Sequence, residues 1–111
     1  TAPSARCSQA QAEVKAAGLS LPAGFRFLCS GAADLYAGDR GHWGTMCHYH
    51  APECLTNAYI AVNLDLIGAN QARLRYVIAH ETCHALDAVA RRPTTEDAAD
   101  RCAAAHGFPR V

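Results

Sequence analysis

The sequence predicts a small α+β domain: a short mixed or antiparallel sheet with an N-terminal helix, a long central helix and a C-terminal helix, stapled by disulfides. Three observations carry this expectation. Residues 58–66 alternate like a strand, with Tyr59, Ala61, Asn63 and Asp65 on one face and Ile60, Val62, Leu64 and Leu66 on the other. From Ala72 to Ala90, Leu74, Val77, Ile78, Cys83, Leu86 and Val89 recur at helical spacing. Six cysteines in 111 residues is an even count at a density typical of disulfide scaffolds.

The remaining elements follow in chain order. Residues 8–17 read as a helix, with Ser8 as N-cap and Gly18 as the stop. After the Leu21-Pro22-Ala23-Gly24 turn, residues 25–29 alternate as a strand, and 30–41 form a loop containing Gly and Asp. Residues 42–50 suit a second strand, with Trp43, Thr45, Cys47 and Tyr49 on one side, and Pro52 ends it. Gly68-Ala69-Asn70 leads into the long helix and Pro93 closes it. Thr94 or Thr95 then caps a last helix that runs to about Ala105, before Gly107. Trp43, Phe25 and Phe27 are expected in the core.

The length suits one domain over residues 1–111. Half the residues are hydrophobic, enough for a modest core. Ten basic and ten acidic side chains balance, and the basic ones are scattered apart from Arg91-Arg92. That argues against a nucleic-acid surface, which needs Lys and Arg on one face. The nearly apolar stretches, such as 59–68, fall far below bilayer length, so no membrane partner is expected. The chain opens Thr1-Ala2-Pro3 without Met, as a mature form does after its signal peptide is removed. With the cysteines, this predicts a secreted, extracellular, monomeric protein.

The chemistry is concentrated in His80-Glu81-Thr82-Cys83-His84, an HExxH motif inside the long helix. Four residues make just over one helical turn, so both imidazoles project from one face and can bind one ion. Glu81 stands beside the first ligand, within reach of a water on the metal. Zinc lowers the pKa of such a water to about 7, and the Glu can take its proton as it attacks a carbonyl. The same carboxyl can then protonate the leaving amine.

His80 to His84, followed by Ala85-Leu86-Asp87 and then Glu96-Asp97-Ala98-Ala99-Asp100, resembles the zincin metallopeptidases. The likeness is to those that pair HExxH with a downstream ExxAD or ExxxD element, the gluzincin pattern, and it covers residues 59–102. It implies a zincin-like domain with zinc as cofactor and Glu81 as catalytic base. Strand 58–66 would be the edge strand that aligns an extended substrate. The resemblance also implies Glu96 as third zinc ligand, with Asp100 orienting a ligating His. Metzincin membership is not indicated, because Asp87 occupies the place of that group's glycine and Met46 precedes the motif.

Helix geometry favours a different third ligand. Eleven residues separate His84 from Glu96. In an antiparallel hairpin turning near Arg92-Pro93, Glu96 falls beside Val89, roughly 8–10 Å along the axis from the metal. Asp100 falls beside Ala85, within reach, and Cys83 lies opposite Cys102. This register makes His80, His84 and Asp100 the preferred ligand set, with Glu96 the alternative and Asp87, Asp97 and His106 behind them. It also pairs Cys83 with Cys102.

Cys47, His48, His50 and Cys54 lack paired metal-ligand spacing, so Cys47–Cys54 is read as a disulfide. Neighbour pairing then leaves Cys7–Cys29. An oxyanion donor opposite the metal is required, and His42, His48, His50, His106, Tyr49, Tyr59 and Tyr76 are all open for it. The expected function is a secreted zinc metallopeptidase (a hydrolase) acting on protein or peptide substrates. The alternatives are a hydrolase of another amide, such as a cell-wall peptide, and a non-catalytic binding module. Glu81 argues against the last, since a structural zinc site needs no base.

Overall fold

Proline lacks an amide hydrogen and fixes φ, which the first turn of a helix tolerates. In the computed structural model, which describes residues 3–35, 39–48 and 58–111, helix α1 accordingly starts at Pro3 and spans Pro3–Ala16. It begins well before the Ser8 expected from capping alone. Gly18 closes it at a φ of 102°. There the Leu19 N–H donates to the Val14 carbonyl (3.2 Å) and the Gly18 N–H to that of Lys15 (3.0 Å). Cys7, Ala10 and Val14 form the buried stripe of α1.

Strand β1 spans Phe25–Ser30, and a single 3-10 turn follows at Ala32–Asp34. Strand β2, Gly44–Cys47, is shorter than the expected 42–50, and Tyr49, His50 and Pro52 lie outside the described residues. Strand β3 spans Ala58–Asn63. The sheet is mixed, in the order β1-β3-β2, with β1 parallel and β2 antiparallel to β3. Two expectations are corrected here. First, β3 is the central strand with all six residues buried, so it is not an edge. Among the described residues, the edge nearest the motif belongs to β2. Second, β3 stops at Asn63 instead of running to Leu66. The Asn63 side chain accepts the Leu66 N–H (3.3 Å) and donates to the Arg40 carbonyl (3.0 Å). This caps a short helix α2, Leu64–Ile67, because a local Asn cap competes well with one more sheet rung. Asp65 then accepts the Ala32 N–H at 2.7 Å.

Helix α3 runs Gln71–Val89, capped by Asn70, whose side chain accepts the Arg73 N–H at 3.0 Å. Its C-terminus has the bonding of a glycine cap, but Arg91 occupies the left-handed position with a φ of 58°. The Arg92 N–H donates to the Asp87 carbonyl (2.8 Å) and the Arg91 N–H to that of Ala88 (3.1 Å). Helix α4, Glu96–Ala105, is capped by Thr95, whose hydroxyl accepts the Ala98 N–H at 3.1 Å.

One face of β3 buries Ile60 and Val62 against Cys7, Ala10 and Val14 of α1 and Leu74, Val77 and Ile78 of α3. Each large aliphatic side chain so buried contributes roughly 1.5–3 kcal/mol. The other face packs Tyr59 and Ala61 with Leu28, Leu35 and Cys47. Ala99 and Ala103 of α4 are buried, small enough to let that helix lie close on α3. Disulfides join Cys7 to Cys29 and Cys83 to Cys102, while Cys54, expected to pair with Cys47, lies outside the described residues. No helix of the described residues is long and apolar enough to cross a membrane.

Candidate metal centre

The middle of α3 is buried on all sides from Tyr76 to Ala85, which forces its polar residues to find partners inside the molecule. His80 is 7% exposed, and Glu81 and His84 are each 6% exposed. One turn apart, the two imidazoles meet edge to face with ring centroids 4.6 Å apart and Nε2 atoms 3.1 Å apart. A Glu81 carboxylate oxygen lies within 4.8 Å of both ligating nitrogens.

Helix α4 completes the cluster in an arrangement that differs from the preferred expectation. A Glu96 carboxylate oxygen lies 2.7 Å from Nε2 of His80 and 3.4 Å from Nε2 of His84. Asp100 instead meets the other nitrogen of His80, with Oδ1 2.7 Å from Nδ1. The Tyr76 hydroxyl donates to the same Asp100 oxygen and lies 3.4 Å from Nδ1. Arg110 lies 3.6 Å from the second Asp100 oxygen. Strict antiparallel register is therefore the wrong guide to the carboxylates. It pairs Cys83 with Cys102, but Glu96 reaches past Val89 to the imidazoles, and Asp100 faces Tyr76 and His80 instead of Ala85.

The spacing of the cluster suits a metal ion. A tetrahedral ion with ligands at about 2.0–2.1 Å spaces its donors about 3.3 Å apart. Separations of 3.1, 3.4 and 2.7 Å among His80 Nε2, His84 Nε2 and the Glu96 oxygen need only a small outward shift of Glu96 to match. Two imidazoles and a carboxylate can hold a divalent ion. An imidazole that offers Nε2 carries its proton on Nδ1, and Asp100 accepts a hydrogen bond from that N–H of His80. The Nδ1 of His84 is buried and has no hydrogen-bond partner among the described residues.

Burial, followed by the negative charges of Glu96 and Asp39, pushes Glu81 up to about 8. Burial and then the neighbouring His80 push His84 down. Burial would raise Glu96, but the two imidazoles outweigh it and hold the carboxyl below its ordinary range. For Asp100, burial is likewise outweighed by the hydrogen bonds from Tyr76 and His80. Burial and then Asp100 raise Tyr76 well above its usual range.

Two adjoining cavities, of about 400 and 300 Å³, open over the cluster. They share His42, Gly44, Glu81 and Glu96, so they form the two halves of one cleft. Trp43, Tyr76 and Arg110 line the first half, and Thr45, Met46 and His84 the second. Gly44 was not singled out in the sequence. A Cβ on it would come within 2.5 Å of Val77 Cγ1 and 3.1 Å of Glu81 Cγ. Only glycine lets the edge strand pass this close to Val77 and Glu81. A glycine opening a strand was its sole signal.

The other candidates are elsewhere. His48 stacks on Phe25 at 5.7 Å, and the Tyr59 hydroxyl donates to Asp39 at 3.2 Å. His106 donates to the Cys102 carbonyl (2.8 Å), Asp87 pairs with Arg92 (2.8 Å) and Asp97 with Arg101 (3.0 Å). Tyr49, His50 and Cys54 lie outside the described residues. No family model matches the chain, and no curated protein or solved structure matches it either.

Proposed function

We propose that the chain is a zinc-dependent metallopeptidase, zincin-like in its site, that hydrolyses peptide bonds with Glu81 as the base. The observation that carries this reading is the convergence of His80, His84 and Glu96 at ligand spacing, with the buried Glu81 carboxyl beside them. A structural metal site has no use for such a carboxyl. His80, His84 and Glu96 would hold the ion, and Glu96 replaces Asp100 as third ligand. When bound, zinc supplies Lewis acidity, bringing the pKa of a water near 7 and polarising a carbonyl.

The chain's own residues do the rest. Glu81 accepts a proton at its carboxylate and hands it to the departing amine. Asp100, braced by Tyr76, fixes the tautomer and ring plane of His80. The side of β2 away from β3, a sheet edge among the described residues, offers backbone groups to an extended peptide, which would add as a further strand beside the cluster. His42 is exposed, lines both halves of the cleft and stands free to donate to an oxyanion, whereas the Tyr76 hydroxyl is taken by Asp100. The disulfides suit an oxidising compartment, and we place the protein outside the cell.

The test is metal content together with peptide hydrolysis. The protein should hold about one zinc per chain. Glu81→Gln should keep that zinc and lose at least about 100-fold in turnover. Stoichiometric zinc that persists in a His80→Ala/His84→Ala double variant would overturn the assignment.

A further inference from the structure

The two halves of the cleft differ in charge. The half that extends past Trp43 and Tyr76 contains a guanidinium, Arg110, while the half past Thr45 and Met46 contains no Lys or Arg. Arg110 is largely uncommitted. Its side chain is 70% exposed, and among the described residues its one ion-pair contact is a single nitrogen 3.6 Å from Asp100. An arginine fork carries five N–H donors, so most of them remain available to a ligand.

Strand polarity says which part of a substrate meets this arginine. Chain β2 runs from Gly44, where both halves meet, toward Cys47, with Trp43 just before it on the arginine side and Thr45 and Met46 on the other. Antiparallel pairing is the more stable per residue, and a peptide added that way to β2 runs from the Met46 side to the Trp43 side. Its carboxyl-terminal portion, beyond the bond held over Glu81, lies in the half that contains Arg110.

We propose that Arg110 recognises a carboxylate on the carboxyl-terminal side of the cleaved bond, against the aromatic wall of Trp43 and Tyr76. This rests on the peptidase reading above. The carboxylate can be the free C-terminus of a short peptide or the side chain of Asp or Glu; both present the same planar acceptor to the fork. A cavity of about 400 Å³ on this side is at the small end for ligand pockets, and suits one or two residues beyond the cleaved bond.

Two measurements test the proposal. In the first, the zinc-loaded protein is given matched peptides: free acid against C-terminal amide, and Asp or Glu against Asn or Gln just beyond the cleavage point. At least one carboxylate should raise kcat/KM by about 10-fold or more, mainly through KM. Arg110→Ala should erase that ratio and Arg110→Lys keep part of it. The arm that responds tells a free C-terminus from an acidic side chain. In the second, the same peptides are titrated calorimetrically into Glu81→Gln protein. The acid should bind tighter than the neutral form by a similar factor, and a Glu81→Gln/Arg110→Ala variant should bind both alike. Equal treatment of acid and neutral peptides by both proteins, or a preference that survives Arg110→Ala, overturns the proposal. If the binding preference holds but the wild type cleaves no peptide, the peptidase reading fails and the carboxylate site stands.

Discussion

The two imidazoles of the cluster sit one turn apart on the same helix and are held in opposite ways. His80 is gripped from behind: Asp100 takes its Nδ1, Tyr76 braces Asp100, and Arg110 stands beyond. His84 is equally buried, yet its Nδ1 meets no hydrogen-bond partner among the described residues. The difference comes from α4, which delivers its carboxylates to the N-terminal half of the motif and only its Glu96 tip to His84. Leaving one buried polar nitrogen unsatisfied costs about 1–3 kcal/mol. The anchored ring is thus the fixed point of the centre. The Nδ1 side of the other ring is held by packing among the described residues.

The largest effect should fall on Glu81, which lies beside the two rings. In the metal-free protein its folded pKa of about 8 lies above the ordinary 4.5. The native state then retains a proton that the unfolded chain gives up, so stability is full below about 4.5 and falls as pH rises toward 8. The loss should be on the order of a few kcal/mol. Denaturant titrations of metal-free wild type and Glu81→Gln should diverge across this window, with the Gln variant nearly flat. Parallel curves would show that Glu81 ionises freely and that neither ring lies in so apolar a setting.

Next in size is the cross-link that seats α4. Replacing Cys83 and Cys102 with Ala opens a link of sequence separation 19, which should cost about 3 kcal/mol in thermal or denaturant unfolding. Zinc affinity should fall with it, because both carboxylates ride on α4. Then come the carboxylates themselves. Glu96→Ala should weaken zinc by more than about 100-fold, whereas Asp100→Asn should cost about 10–100-fold, the usual range for a group that orients a ligand. Competition titration with a chelator measures both, and a reversed order would make Asp100 the ligand. The smallest effect belongs to Tyr76→Phe, which removes only the brace. A loss of about 0.5–1.5 kcal/mol in stability, with a change in zinc affinity smaller than that of Asp100→Asn, is expected.

Much of this was legible in the chain. Alternation located β3 and helical spacing located α3, because both elements are buried on a regular period. The HExxH spacing put His80 and His84 on one face by helix geometry alone. Cysteine pairing by neighbours and by the hairpin reached Cys7–Cys29 and Cys83–Cys102. What stayed hidden depended on the relation between elements. Whether β3 was central or at an edge turned on sheet order, which alternation does not encode. The roles of Glu96 and Asp100 turned on how α4 sits against α3, and ideal register misplaced both. Gly44 and His42 gain meaning only when β2 is seen lying over Glu81. Asn63 looked like one more strand residue until its side chain bonded the Leu66 amide.

The Cys83–Cys102 bond lies inside the motif at one end and two residues beyond Asp100 at the other. It fastens the helix with the imidazoles to the helix with the carboxylates at the place where they must meet. With both thiols reduced, no covalent link except the chain through residues 90–95 would hold Glu96 near the rings, and the packing of Ala99 and Ala103 and the Asp100 hydrogen bonds to Tyr76 and His80 would carry the rest. A chain in a reducing environment therefore lacks the tether that holds α4, with Glu96, against the imidazoles of α3. Under the metallopeptidase reading proposed above, competence to take up metal would rise with oxidation, and the bond would act as an assembly latch for that centre.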